Sequence, residues 1–429
     1  MLLKFQASNH LSIRDKAEIS FVAEPLKERS DILIQSPHAK HGVLPVLALY
    51  GANASGKSNL LDSLAFFRNG ILSSFERGDA DSGTPQTPFL LDNGSRERAS
   101  TYIADFILDD VRHQYGFSIN AERILEEWLY QFPTTARKIL FYRNHGETPE
   151  FYFGRYLKGK NRGVQAITRK NTLFLSAATK AGHMELSSVS AYFKNTMQFR
   201  LNPSAEPMEP LGQALIYNRS LMQEVEQYLK IADTGITKLS IDKEDFSADE
   251  SSKMRAFFDT INKIIPDTKI NPEIKMPEHF FKITLGHQSE DNVTRFLNFD
   301  DESLGTRYLM TILVPLLKVL REGKILVLDE ITTGLHTLLA RKLVTMFMDP
   351  KINNKGAQLL FSTHDTNLLA PGLLRRDQVW FAEKSANTGE TVIYPLTDIK
   401  TKNTDNIERG YLQGRFGGIP FIPDSQPLC

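Results

Sequence analysis

The sequence predicts an α/β protein with a mixed central sheet, an antiparallel β subdomain and an inserted helical subdomain. Three observations carry this prediction. The apolar run VLALY, residues 46–50, precedes a stretch of small residues and then the amphipathic pattern KSNLLDSLAFF, which reads as strand, loop and helix. Alternating patterns over 100–120, followed by RILEEWLYQF and KILFYRN, read as an antiparallel meander beside that strand. From 186 to 276 the texture becomes helical, in LMQEVEQYLKIA and MRAFFDTINKII, without a sustained heptad. The chain therefore divides into an N-terminal lobe (1–185), a helical insertion (186–276) and a C-terminal lobe (277–429).

The loop between the first strand and helix is Gly51-Ala52-Asn53-Ala54-Ser55-Gly56-Lys57-Ser58, which fits G-x-x-x-x-G-K-[ST]. So little side chain lets the backbone N–H groups turn inward on a phosphate chain, and the helix start adds its positive dipole end. Lys57 is expected on the β- and γ-phosphates of ATP, with the Ser58 hydroxyl on Mg²⁺ and Asn59 in the first helical turn beside them. A Gly/Ser turn that merely matches the pattern is the plain alternative.

Composition narrows the class. The 429 residues are 41% hydrophobic and 24% charged, an ordinary globular balance with material for two or three packed units. Formal net charge is zero, so no global field favours nucleic acid or anionic membrane. Cys429 is the only cysteine, which excludes an intramolecular disulfide. No apolar run approaches the roughly 20 residues of a membrane span. The opening MLLKFQASNHLSIRDKAEISF has no signal-like apolar region and reads as two paired strands around SNH, so a cytoplasmic location is expected.

The second half supplies partners for the loop. GKILVLDE, residues 323–330, is an apolar strand ending in two acids. Asp329 can support Mg²⁺, and Glu330 can orient and deprotonate the water attacking the γ-phosphate. ESLGTRYLMTILVPLL places Ser303 and Gly305 at the mouth of a long amphipathic helix, a second N-terminal anion site or a simple cap. AQLLFSTHDTNLL delivers His364 at the end of another buried strand, where it can meet the γ-phosphate or the attacking water. Residues 151–184 hold seven Lys or Arg and no acid, with Phe153 and Tyr156 among them. Either a nucleic-acid contact or a solvated basic hairpin fits that composition.

In this order the phosphate loop, the Ser-x-Gly helix start, the Asp-Glu strand and the strand-end histidine resemble the ABC-type ATPases, above all the soluble SMC-like and OLD-like branch. NHLSI, YGFSI, ILEEWLY, NTLFLS, ESLGT, RRDQVWF and YLQGRFGGIP are similar to the AAA-type ATPases of abortive infection, the RloA and AbiLi group, with AriA of the PARIS system more distant. The resemblance implies a P-loop ATPase head that pairs head to tail as a homodimer, with Ser303 and Gly305 acting on the partner's nucleotide. It also implies a sensor or regulator of antiphage defence with a separately encoded effector; a DNA-repair or chromosome-maintenance ATPase of the SMC or RecF type is the alternative. A fused nuclease is not expected, because His364 lies too near the end of the sequence. Two features depart from the family: the signature lacks a second glycine, and Ile331 to His336, ITTGLH, replaces the usual D-loop. The sequence does not place a lid glutamine: Gln86, in TPQTPFLLD, is the first candidate and Gln114 the second.

Overall fold

The computed structural model describes residues 1–77, 79, 81–201, 209–232, 234–245, 252–253, 256, 279–402 and 404–419. The chain opens with the antiparallel pair β1 (Leu2–Ser8) and β2 (Ala17–Ser20), a short hairpin of β3 (Ile34–Ser36) and β4 (Ala39–Val43), then β5 (Val46–Tyr50) and α1 (Lys57–Ser73). The meander is β6 (Ser100–Leu108), β7 (Val111–Ile119), β8 (Ile124–Phe132), β9 (Lys138–Asn144) and β10 (Phe151–Phe153), each antiparallel to the last. Three helices, α2 (Asn161–Ile167), α3 (Phe174–Lys180) and α4 (Met184–Thr196), lead into β11 (Met197–Arg200).

Next come α5 (Glu209–Ile216), α6 (Arg219–Ile231) and the antiparallel strands β12 (Ile236–Asp245), β13 (His279–Gln288) and β14 (Thr294–Asn298). The rest is α7 (Leu304–Glu322), β15 (Ile325–Leu328), α8 (Thr337–Met348), β16 (Gln358–Thr363), β17 (Val379–Lys384), β18 (Thr391–Pro395) and α9 (Ile407–Leu412). Within 186–276, LMQEVEQYLKIA falls on α6, whereas MRAFFDTINKII lies outside the described residues apart from Ala256. β11, in the same stretch, is the edge strand of the central sheet.

That sheet has the order β11-β15-β16-β5-β17-β18 and is mixed: its first five strands are parallel, and β18 runs antiparallel to β17. The meander does not join it. Its five strands pair with β1 and β2 in a separate seven-stranded sheet. The reason lies in β5, whose five residues are all buried and whose two edges are taken by β16 and β17. Leu47 and Leu49 share a cluster with Leu64 and Phe67 of α1 and with Phe5, Tyr102 and Phe117 of the seven-stranded sheet. Val46, Ala48 and Tyr50 share another with Leu313 of α7 and Leu343 of α8. A parallel strand covered on both faces reads as a continuous apolar run, and VLALY does.

A buried ion pair fixes β17 beside β5. Arg375, fully buried, donates Nε and Nη2 to the Asp377 carboxylate at 2.9 and 2.7 Å, and its guanidinium also reaches the carbonyls of Glu24 and Glu28. The adjacent Gln378 donates to the Val46 carbonyl at 3.1 Å. RRDQVWF is thus a latch between the two ends of the chain. Arg375→Ala leaves a buried carboxylate unpaired, and urea unfolding should show a loss of about 3–5 kcal/mol. Arg375→Ala with Asp377→Ala should recover part of that loss, because the uncompensated charge is gone.

Candidate functional site

Parallel strands deliver their C-terminal ends to one edge of a sheet, and here β15, β16 and β5 are consecutive neighbours. The loop 51–56 follows β5, Asp329 and Glu330 follow β15, and His364 follows β16. Residues far apart in sequence therefore meet at one edge.

Gly51 and Gly56 are dictated by their surroundings. A Cβ on Gly51 would run into the Ala382 carbonyl of β17 and the Ser55 hydroxyl. Gly56 has φ 100°, in the left-handed region, and a Cβ there would meet the Thr391 side chain and, at 2.8 Å, Ser12 Oγ. Gly418 packs against the Cα of Gly51, held by the Tyr411 hydroxyl, which donates to the Gly418 carbonyl at 3.0 Å. The GRFGG motif is thus a strap on the phosphate loop. Asn59 turns to Ser12 Oγ at 2.6 Å, and Ser12 in turn meets Thr391 at 2.7 Å. Asn53, Ala54 and Ser58 are exposed, and no side chain caps the start of α1. Ser55 Oγ is buried without a partner among the described residues.

Lys57 is buried, and its ammonium uses its three N–H bonds on the Gly51 carbonyl (2.9 Å), the Ala52 carbonyl (3.1 Å) and His364 Nε2 (3.0 Å). A nitrogen that accepts from an ammonium must offer a lone pair, so the imidazole is neutral. Burial and the Lys57 charge indeed hold His364 below its ordinary value, against the pull of Glu330. Burial likewise lowers Lys57, with Glu330 and Asp329 opposing. Glu330 Oε2 lies 3.4 Å from the same Nε2.

Glu330 itself has φ 55°, a left-handed conformation costing a non-glycine residue about 1–3 kcal/mol. It is held there from several sides. Ser362 Oγ accepts its N–H at 2.7 Å, the Tyr308 hydroxyl donates to its carbonyl at 2.5 Å, and Thr332 donates to its Oε1 at 2.8 Å. The Ser362 hydroxyl donates in turn to Asp329 Oδ1. These supporting residues were not singled out in the sequence. Their signal was a pair of hydroxyl residues, Ser362 and Thr363, ending an otherwise apolar buried strand.

Other expected residues stand apart from the cluster. Ser303 caps α7, accepting from Thr306 N at 3.1 Å, and Gly305 packs on the Gly334 carbonyl in the ITTGLH turn. Neither has a hydrogen bond to the loop 51–58 among the described residues. Gln86 donates to Arg98 O and Ser100 Oγ, and Gln114 to Asp105, all in the seven-stranded sheet and its flanks. The basic stretch 151–184 is not a hairpin: it forms β10, α2, α3 and the first residue of α4, with Arg169 turned inward to Thr172 and the Phe75 carbonyl, and Lys180 paired with Glu76.

The sign of the pH dependence follows from the His364 shift. Its folded-state value lies below the ordinary 6.5, so protonation favours the unfolded chain. The residue's contribution to stability is complete above 6.5 and is lost as pH falls through the lower folded-state value. Thermal melts from pH 7.5 to 5 should therefore show a shallower acid loss for His364→Gln than for the wild type. Identical slopes would contradict the neutral imidazole.

No curated protein matches the chain significantly. A solved structure described as "Crystal structure of the SmcHead bound to the C-winged helix domain of ScpA" aligns over 92% of this chain and 97% of that one, at 13% identity and a TM-score of 0.37. The profile of the family described as "AAA domain, putative AbiEii toxin, Type IV TA system" matches residues 46–370, from the first residue of β5 to beyond His364. That span is well over half of the sequence, and the chain belongs to this family of AAA-type ATPase domains.

Proposed function

We propose that this chain binds and hydrolyses ATP with Mg²⁺ and acts as the sensor or regulator of an antiphage defence system through a separate effector protein. The observation that carries the catalytic part is the junction of Lys57, His364 and Glu330 at one sheet edge, with hydrogen-bonding and contact distances of 3.0 and 3.4 Å at His364 Nε2. Lys57 is already desolvated, so its charge acts at low dielectric. Phosphate oxygens would take the place of the two loop carbonyls that it now contacts. The uncapped start of α1 fits such an anion.

Ser58 and Asp329 would hold Mg²⁺, which supplies charge neutralisation at the phosphates when bound. Ser58 is exposed and its side chain has no hydrogen-bond partner among the described residues, and Asp329 keeps an oxygen beyond the one that Ser362 engages. No cluster of three or more His, Cys, Asp or Glu occurs among the described residues. A Mg²⁺ ion that keeps its waters and shares phosphate oxygens needs only one or two protein ligands. Glu330 then serves as base toward the attacking water, and His364, neutral and within reach, orients it.

A homodimer supplies what one copy lacks. The signature start is bare: Leu304 is 76% exposed, Leu338 beside the ITTGLH turn is 68% exposed, and Gly305 touches that turn. A second copy laid head to tail would cover these leucines and bring Ser303 and Gly305 to the other phosphate loop. The defence role rests on the family and on the motif resemblance; a DNA-repair or chromosome-maintenance role is the second reading, and the exposed Tyr152 and Tyr156 beside Arg155, Lys158 and Lys160 favour a nucleic-acid contact in either case. No helix among the described residues is long and apolar enough to cross a membrane.

Glu330→Gln should keep ATP and Mg²⁺ binding and lower steady-state turnover by roughly 10²- to 10⁴-fold, as loss of a general base does. A wild-type rate would move the role to another residue. For the dimer, Ser303→Arg and Lys57→Ala homodimers should each be inactive. Random exchange at equal concentrations makes about half of the dimers mixed, each with one intact composite site, so roughly a quarter of wild-type activity is the ceiling if sites are independent. A monomeric protein whose specific activity is independent of concentration would contradict the composite site.

A further inference from the structure

We propose that the outer edge of the seven-stranded sheet, at β10, binds single-stranded nucleic acid, with a base stacked on Tyr152 and phosphates met by the cations around it. This rests on the nucleic-acid contact favoured above and gives it a place and a strandedness.

The charges come first. In a chain of zero net charge, Arg137, Lys138, Arg155, Lys158, Lys160 and Arg162 all lack a carboxylate partner among the described residues. Arg137 lies instead against the Tyr130 ring, 4.8 Å from its centre, and Lys138 and Arg155 lie against Tyr156 at 4.6 and 4.8 Å. Lys158, Lys160 and Arg162 are exposed. Nearby acids turn to other groups: Glu150 to Arg143 at 2.7 Å, Glu147 to the Asn144 amide at 3.0 Å, and Glu185 to the backbone N–H of Lys158 at 3.0 Å. A ring holds a cation in place without neutralising it, so the charge remains for an incoming anion. Uncompensated cations grouped on one edge are the electrostatic footprint of a phosphate backbone.

The rings decide the strandedness. β10 is the last strand of its sheet, and its alternation sorts its side chains. Phe151 and Phe153 turn inward to Phe174, with ring centres 5.6 and 5.3 Å away, so Tyr152 turns to the other face, where it is 54% exposed. There it stands opposite Tyr142 of β9, which stands opposite Trp128 of β8; the inner end of this row is buried and the outer end is open. Beside it a groove of about 1000 Å³ runs between β10 and the start of α2, lined by Tyr152, Lys160 and Arg162 and by no acid. Bases in a duplex have their faces covered by their neighbours, so an open ring among cations serves bases that are already unstacked. An acidic peptide would meet the same cations without using the ring.

Fluorescence anisotropy of the full chain with labelled oligothymidine of about 15 nucleotides is the test. The single strand should bind saturably, and its duplex with oligoadenine about 10-fold or more weakly. Oligouridine of the same length tells RNA from DNA, and higher affinity for either one supports a single-strand site. Tyr152→Ala should weaken single-strand binding about 10-fold, whereas Tyr152→Phe, which keeps the ring, should not. Lys160→Gln with Arg162→Gln should lower the slope of log affinity against log salt by about 1.4, the loss of two phosphate contacts on a single strand. These positions are exposed, and an unchanged melting temperature checks that the fold is kept. Lys57→Ala should bind as the wild type does, which separates the result from the ATPase reading. Equal affinity for strand and duplex, indifference to Tyr152→Ala, or an unchanged salt slope would overturn the single-strand site and leave the wider nucleic-acid contact standing. Displacement by polyglutamate as readily as by unlabelled strand would overturn it in favour of an acidic peptide. No binding of strand or duplex at about 50 mM salt would overturn the site and the nucleic-acid contact together.

Discussion

The structure turns on a backbone approach that tolerates no side chain. Gly51 lies between the Ala382 carbonyl, Ser55 and Gly418, and Gly56 lies against Ser12 and Thr391. The loop after β5 is therefore gripped by the hairpin near the start of the chain, by β17 and β18, and by the strap after α9. Each of these clamps is itself fixed. Thr391 donates to the Ser55 carbonyl at 2.8 Å and its N–H to the Ser12 carbonyl at 2.7 Å, while the Arg375 latch secures β17. The cost of so tight a turn is met by packing, and the result is a loop whose residues Asn53, Ala54 and Ser58 are exposed, with no competing side-chain bonds among the described residues.

The charges follow from that geometry. A buried ammonium must find acceptors, and Lys57 finds two loop carbonyls and an imidazole. This arrangement requires a neutral His364, and it sets Glu330 within contact of the same nitrogen. Glu330 is kept in its left-handed conformation by Tyr308, Ser362 and Thr332, so its strain is borne by three neighbours rather than by the turn alone. An acid, a neutral base and a desolvated cation are thereby held together at the edge of a rigid sheet. Such a constellation is suited to a ligand bearing concentrated negative charge.

Much of this was legible in the sequence, for reasons that are local. VLALY announces a strand buried on both faces, and the spacing of Gly51, Gly56, Lys57 and Ser58 announces the turn that follows it. The SNH turn could be read because Ser and Asn favour turns, and Asn9 and Leu11 there take left-handed conformations, φ 52° and 48°. What the sequence did not reveal depends on contacts across most of its length. Ser12 with Thr391, Gly51 with Gly418, and Lys57 with His364 join positions some three hundred or more residues apart, and no periodicity encodes them. The meander was placed beside β5 when it stacks over α1 instead, because alternation shows that a strand is half-buried but not against which layer. The basic stretch 151–184 looked like a hairpin on composition alone, and the inward turn of Arg169 carries no local signature.

Lys57, now satisfied by loop carbonyls and His364, is proposed as the cation that receives the phosphates of ATP. Equilibrium titration of fluorescent ATP with Mg²⁺ into the wild type and Lys57→Ala tests it most directly. Saturable binding by the wild type and its loss in Lys57→Ala, with unchanged thermal stability of the fold above pH 7, is the result expected. Equal affinity in the two proteins would place the nucleotide elsewhere and contradict the account.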